Sequence, residues 1–388
     1  MMEYPRVKLA SLVDLFSGFA WKSDYFNSEA VGIPIIRIQN VGADQVENDF
    51  IYWSHEYDNK FVIAKGDLLL TLSGSFRIAL WNYKDALLNQ RIVKLTPKSD
   101  ILDKKYLYYF INSVIDEISK LARHAIISNI SISDLKNIDI IVPPLEEQRR
   151  IVAILDKADE IRQKRQQAIA KLDELLLSEF LKKFSNKNFK SVMVQDLLET
   201  EKNMRTGPFG SQLLHSEFVD EGIAVLGIDN AVKNQFQWGK PRFITEQKYQ
   251  TLSRYTVKPN DVLITIMGTC GRCAVVPEDI PTAINTKHLC CITLDKTKCE
   301  PEFLHSYFLM HPTARNYLES RAKGAIMDGL NMGIIKELPV ELPPLEDQKA
   351  FVKFKKVILS QKQIMDLDAE KIDQMFGSLQ QKAFSGTL

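Results

Sequence analysis

One phrase occurs twice in this chain, as Pro143-Pro144-Leu145-Glu146-Glu147-Gln148 and again as Pro343-Pro344-Leu345-Glu346-Asp347-Gln348. Each copy follows a stretch of mixed polarity and opens a long charged run, so the chain is a two-fold duplication of a domain followed by a helix, not a many-repeat solenoid. The residue before a proline is pushed out of the helical region, which makes each Pro-Pro pair an extended lead-in. The acidic residues behind it suit the positive end of a helix dipole. Downstream, apolar side chains recur at a mean spacing of three and a half. In the first copy a strict heptad puts Ile151, Ile154, Ala158, Ile161, Ala168, Leu172 and Leu175 in one stripe, with Arg165 intruding. In the second it selects Phe351, Phe354, Ile358, Met365, Ile372, Met375 and Leu379, with Gln361 and Asp368 intruding.

Neither run holds a Gly or Pro before Gly377, and stripes of this length predict coiled-coil helices. A helix from Leu145 to Lys183 would be a rod of roughly 58 Å at 1.5 Å per residue. Such a helix cannot bury its stripe alone, so the two are expected to pair. Because each leaves a separate globular domain, the pairing must be antiparallel. The expected fold is α/β (α+β), two pseudo-two-fold related domains separated by an antiparallel two-helix coiled coil, with segments 1–142, 143–188, 189–342 and 343–388.

The two domains repeat one another in order. Gly32 to Asn40 is matched by Gly222 to Asn230, Gly66 to Thr71 by Asn260 to Thr265, and Leu88 to Ile92 by Ile284 to His288. Strand-like stretches agree while connecting residues differ, the pattern of one scaffold displaying two surfaces. The chain has 388 residues, 45% hydrophobic and 26% charged, as in ordinary globular proteins of two or three domains. With no signal-peptide pattern and no apolar run near the ~18 residues of a membrane span, a cytoplasmic location and no membrane partner are expected.

Charge is balanced locally as well as overall. Residues 1–142 carry 16 basic and 17 acidic side chains, and residues 189–342 carry 17 and 18. A stand-alone nucleic-acid binder carries a basic excess, because phosphate neutralisation supplies most of its affinity. Such a role here has to rest on local patches or on a partner that contributes charge.

No Gly-x-x-x-x-Gly-Lys-Ser/Thr loop is present, and no Asn/Asp-Pro-Pro-Tyr run of the kind amino-methyltransferases use to hold a base. Asp347-Gln348-Lys349 has a nuclease-like spacing but belongs to the helix-opening phrase, where the first copy reads Glu147-Gln148-Arg149. All five cysteines fall between Cys270 and Cys299. Adjacent Cys290 and Cys291 on a strand would point to opposite faces, so packed thiols are expected in place of a metal site.

The phrases Ser17-Gly-Phe-Ala20, Ile33-Pro-Ile-Ile-Arg-Ile38, Thr206-Gly-Pro-Phe-Gly-Ser211, both Pro-Pro-Leu-Glu-Glu/Asp-Gln runs and Phe376-Gly-Ser-Leu-Gln-Gln-Lys-Ala-Phe-Ser385 resemble, in order and duplication, the specificity subunit of type I restriction–modification systems. The resemblance implies two target-recognition domains, each reading half of an interrupted sequence in double-stranded DNA. It also implies that the helices space the domains and dock two modification (methyltransferase) subunits. Ile151, Ile154, Ile161, Leu172 and Leu175, with Phe351, Phe354, Ile358, Met365 and Ile372, are the candidates for that docking.

The chain itself would have no catalytic residue, metal or cofactor. S-adenosylmethionine would sit on the modification subunits, and ATP and Mg2+ on restriction (motor-nuclease) subunits. Base discrimination uses Arg or Lys against guanine and Asn or Gln against adenine. Candidates for DNA contact are Lys22, Arg37, Gln39, Asn40, Ser75, Arg77, Gln90 and Arg91 in the first domain. In the second they are Arg205, Asn230, Thr269, Arg272, Asn285, Lys287 and His288. The competing reading is a coiled-coil assembly scaffold that binds no DNA.

Overall fold

A computed structural model describes residues 4–42, 50–74, 76–124, 131–185, 188–322 and 329–388. The chain divides into two units, Met1–Gln167 with Asp366–Leu388, and Ala168–Met365. Long helices Leu145–Phe184 and Leu345–Ser385 each give one end to each unit.

In the first unit a four-stranded antiparallel sheet runs in the order Val13–Ser17, Ile92–Pro97, Leu68–Thr71, Ile78–Leu80. A second, five-stranded sheet contains Ile33–Ile35 parallel to Ala86–Leu87 and antiparallel to Ile51–Trp53. The run Leu68-Leu69-Leu70 is buried on both faces. Leu68 and Leu70 join a core with Tyr106, Leu107, Phe110 and Ile111 of helix Lys104–His124, whereas Leu69 joins a separate core with Ile36, Trp81 and Leu88. A period-two strand sandwiched between two layers produces this split.

The second unit repeats the four-stranded sheet in the same order and carries a smaller, three-stranded version of the other sheet. Its four-stranded sheet runs Met204–Thr206, Leu289–Ile292, Val262–Thr265, Cys273–Val275. Beside it, Ile223–Leu226 lies parallel to Ala283–Asn285 and antiparallel to Phe243–Ile244. Val262 and Ile264 face the core beneath helix Pro301–Met310, and Leu263 faces the other. Cys290 and Cys291 are divided in the same way between those two cores.

The repeated glutamine explains why the phrase recurs. Gln148, fully buried, accepts the Asp103 N–H at 2.8 Å and donates to the Ile101 and Pro143 carbonyls at 2.7 and 2.9 Å. Gln348 makes the same three bonds, to the Glu300 N–H and the Lys298 and Pro343 carbonyls, at 2.9, 3.2 and 2.9 Å. Each ties the first turn of a long helix to the chain just ahead of the unit's packed helix.

Within each unit the helix ends pair antiparallel. In the first, Arg162 Nε donates to Asp373 at 2.7 Å with its guanidinium 4.4 Å from the Phe376 ring centre, and Arg165 lies 3.8 Å from Asp368. In the second, Lys362 meets Asp173 at 2.6 Å and Phe351 packs on Phe180 and Phe184.

The strict heptad mis-phased alternate positions. Ile161, Leu175 and Met375 are 49%, 48% and 66% exposed, and the more enclosed positions are one residue later: Leu155, Arg162 and Leu176, and Lys355, Lys362 and Phe376. Three of these six are cationic, so a stripe chosen for apolarity steps past them. Of the docking candidates, Ile151, Phe351, Ile358 and Met365 are buried by their own unit and present no free surface. Ile154, Leu172, Phe354 and Ile372 are half-buried, leaving Ile161 and Leu175 exposed.

At one inward position a lysine is fully enclosed. Lys355 Nζ donates to Glu302 Oε2 at 2.6 Å, His305 Nδ1 at 2.9 Å and Ser306 Oγ at 3.0 Å. An ammonium group can only donate, so Nδ1 is the acceptor and the ring proton sits on Nε2. That nitrogen faces the Asn234 and Cys273 carbonyls at 3.0 and 3.1 Å.

Candidate functional site

In both units the glycine phrase near the start of the domain is wedged against the loop that follows the parallel inner strand. A Cβ on Gly18 would overlap the Leu88 and Asn89 carbonyl oxygens, and one on Gly207 the Asn285 carbonyl. Only glycine allows this approach. In the first unit Phe19 N–H donates to Leu88 O at 3.0 Å and Gln90 N–H to Phe19 O at 3.1 Å. These bonds hold Gln90 and Arg91, both exposed, at the end of the sheet.

A short turn stands beside each junction. Asn40 Oδ1 accepts the Arg37 N–H at 2.7 Å, and Asn230 Oδ1 accepts the Gly227 N–H at 2.8 Å. Both asparagines are buried. They hold the turn instead of offering an amide outward, as expected of Asn at a local cap.

The other sequence candidates separate by exposure. Lys22, Gln39 and Arg77 are exposed in the first unit, and Arg37 is half-buried; Ser75 lies outside the described residues. In the second unit Thr269 and Arg272 are exposed, and Lys287 and His288 half-buried. Asn285 is fully buried, donating to Leu289 O at 3.0 Å. Arg205 is tied inward. Its guanidinium donates to Asp261 at 2.7 Å, to Thr256 O at 2.5 Å and to Thr293 Oγ1 at 3.0 Å, and Asp261 is itself buried. Arg205, Asn40, Asn230 and Asn285 face inward, with most of their polar atoms bonded to the backbone or to buried charge.

The second unit encloses a cleft of about 640 Å3 among the glycine loop (Pro208, Gly210, Leu213), the turn (Gly227, Ile228, Asp229) and the loop Thr286-Lys287-His288. Arg242, not singled out by the sequence, also lines it. Its Nη2 donates to Asp229 Oδ1 at 2.5 Å and its Nε to Val225 O at 3.3 Å. The second Asp229 oxygen accepts the Lys240 N–H at 2.7 Å. Burial would raise the Asp229 pKa, but the bonds from Arg242 and Lys240 outweigh it and hold the carboxyl below its usual range. Burial, aided by the charges of Lys287 and Arg242, pushes His288 down from its ordinary value, favouring the neutral ring. Thr286 Oγ1 on the same wall is buried with no hydrogen-bond partner among the described residues. The cleft thus offers a fixed cation, a lysine and a neutral imidazole, a set suited to hydrogen-bond acceptors on a rigid edge.

The profile of the type I restriction modification DNA specificity domain matches this sequence twice, over residues 1–171 and 186–371. The chain belongs to that family. It is a DNA specificity subunit of the type I restriction–modification class, with two target-recognition domains. It is similar to the type I restriction enzyme EcoBI specificity subunit of Escherichia coli, 26% identical over 413 residues, covering 99% of this chain and 86% of the relative. It is also similar to the MjaVIII specificity subunit of Methanocaldococcus jannaschii, 23% identical over 357 residues, covering 85% and 84%.

The fold is shared with the type I S subunit of M. genitalium at a TM-score of 0.55, 17% identity and coverage of 98% and 96%. It is shared too with a chain from a study of complex assembly and conformational transition in a type I system, at a TM-score of 0.61, 16% identity and full coverage of both. Each matched stretch contains one of the two glycine-wedged loops described above. Among the described residues, no helix is long and apolar enough to cross a membrane, and no group of three or more His, Cys, Asp or Glu side chains could hold a metal ion.

Proposed function

We propose that each unit reads one half of an interrupted duplex target and that the chain performs no chemistry itself. The observation that carries this reading is a four-stranded sheet of the same order in both units, with different groups at the glycine-wedged loop. Gln90 and Arg91 stand there in one unit and Lys287 and His288 in the other. In this reading the long helices dock two modification subunits, which bring S-adenosylmethionine, while restriction subunits bring ATP and Mg2+. The near-neutral charge of each domain fits a reader that relies on partners for phosphate contacts. The complex would act in the cytoplasm.

The test is an exchange of residues 1–142 for the first domain of another family member, followed by mapping of the methylated motif. One half of the motif is expected to change and the other to stay. Alteration of both halves, or of neither, would count against independent reading.

A further inference from the structure

The two units can be superposed by their own strand register, and the comparison isolates one charged pair. Ile223 pairs with Ile244 and Ala224 with Phe243, so Arg242 falls opposite Val225. In the first unit Ile33 pairs with Trp53, Pro34 with Tyr52 and Ile35 with Ile51. Since Gly32 to Asn40 corresponds to Gly222 to Asn230, the place of Arg242 is taken by Ile51, that of Asp229 by Gln39 and that of Gly227 by Arg37. The second unit has made room for its pair. A Cβ on Gly227 would press on the Arg242 guanidinium, and one on Gly239 would overlap the Asp229 carboxylate.

The first unit keeps an arginine on this turn, but it springs from the Gly227 position. A phosphate anchor serves any duplex and has no reason to move between two copies of one scaffold. A group that has been relocated marks a place where the copies read different targets.

The hydrogen bonds state what the pair can recognise. Both Asp229 oxygens are taken, by Arg242 and by the Lys240 N–H. Arg242 Nη2 is taken by Asp229 and, at 3.4 Å, by Asn230 Oδ1, and Nε by Val225 O, while the two hydrogens of Nη1 have no partner among the described residues. The pair therefore presents donors only, on a planar group whose rotation is fixed. Guanine alone among the bases shows two acceptors and no donor on its major-groove edge.

We infer that Arg242, oriented by Asp229 in this cleft, selects a guanine in the half-site of the second domain. The inference rests on the reading of that domain as a duplex reader. Asp229 is a positioning residue and Arg242 the contact.

The assay uses the full chain in complex with the modification subunits of its own system, acting on a pool of duplexes randomised across the target. Methylated products are sequenced, and the half-site of the second domain is identified by the exchange of residues 1–142. In Arg242→Gln and Arg242→Met, preference for guanine at one position of that half-site should fall by roughly tenfold or more, with the other half unchanged. A second measurement starts from the wild-type complex. Replacing each guanine of the motif in turn by 7-deazaguanine should impair wild-type methylation at that one position, and in Arg242→Met this sensitivity should vanish.

An unchanged motif, an equal loss on all sequences (a phosphate contact), or a wild-type half-site with no guanine sensitive to the deaza replacement would each overturn the assignment. A wild-type complex that selects no sequence at all would overturn the underlying reading instead.

Discussion

Protonation of His305 should loosen the second unit in mild acid. The ring is enclosed, and burial, reinforced by the Lys355 ammonium 2.9 Å from Nδ1, pushes its pKa down from 6.5 to about 4. Glu302 opposes this but is engaged by Lys355. The remaining titratable neighbour is Cys273, whose thiol burial pushes well above its ordinary value, keeping it neutral. The imidazole is therefore neutral in the fold and protonated more readily in the unfolded chain. A depressed folded pKa gives stability that is complete above pH 6.5 and is lost as pH falls from 6.5 towards 4.

At about 1.36 kcal/mol per pKa unit the full loss is about 3 kcal/mol, and about 2 kcal/mol of it falls between pH 7 and pH 5. Hydrogen-exchange mass spectrometry on peptides spanning 301–310, corrected for the intrinsic pH dependence, should show opening on the order of tenfold more populated at pH 5 than at pH 7. Peptides from 104–115 of the first unit are the internal reference. His305→Gln, which retains a donor and an acceptor but cannot titrate, should flatten the slope. Equal pH dependence in the variant and the wild type would refute the argument.

Two further outcomes follow from the packing. Arg205→Met strands the buried Asp261 charge and should destabilise the second unit by about 3–5 kcal/mol, with much of the loss recovered in Arg205→Met/Asp261→Leu. A folded single variant with an altered DNA motif would instead make Arg205 a reader. On the long helices, Leu155→Ala should cost about 2–5 kcal/mol in denaturant unfolding and Ile161→Ala less than about 1 kcal/mol; the reverse order would restore the strict heptad.

The duplication, the class of fold and the helix limits were legible because they depend on periodicity and on a repeated phrase, which a chain carries on its face. The first long helix ends at Phe184 where Lys183 was expected. The phase of the stripe was not legible, since Arg162, Lys355 and Lys362 look solvent-bound until Asp373, Glu302 and Asp173 are placed opposite them. The same blindness affected the candidate site. Arg205 is answered by Asp261 fifty-six residues away, and nothing local distinguishes such an arginine from one aimed at a ligand. Arg242 was missed for the complementary reason: its orienting carboxylate lies thirteen residues upstream on a different element. Asn40 and Asn230 show the limit of residue-type reasoning, because an amide that could read adenine serves equally well to cap a turn.

The two glutamine ties grip only main-chain atoms: the amides of Asp103 and Glu300 and the carbonyls of Ile101, Pro143, Lys298 and Pro343. A grip of that kind is blind to the side chains it passes. Side chains on the glycine-wedged loops can change without removing any bond of that tie. If those loops read the target, as proposed, the lettering can change while the mounting stays constant.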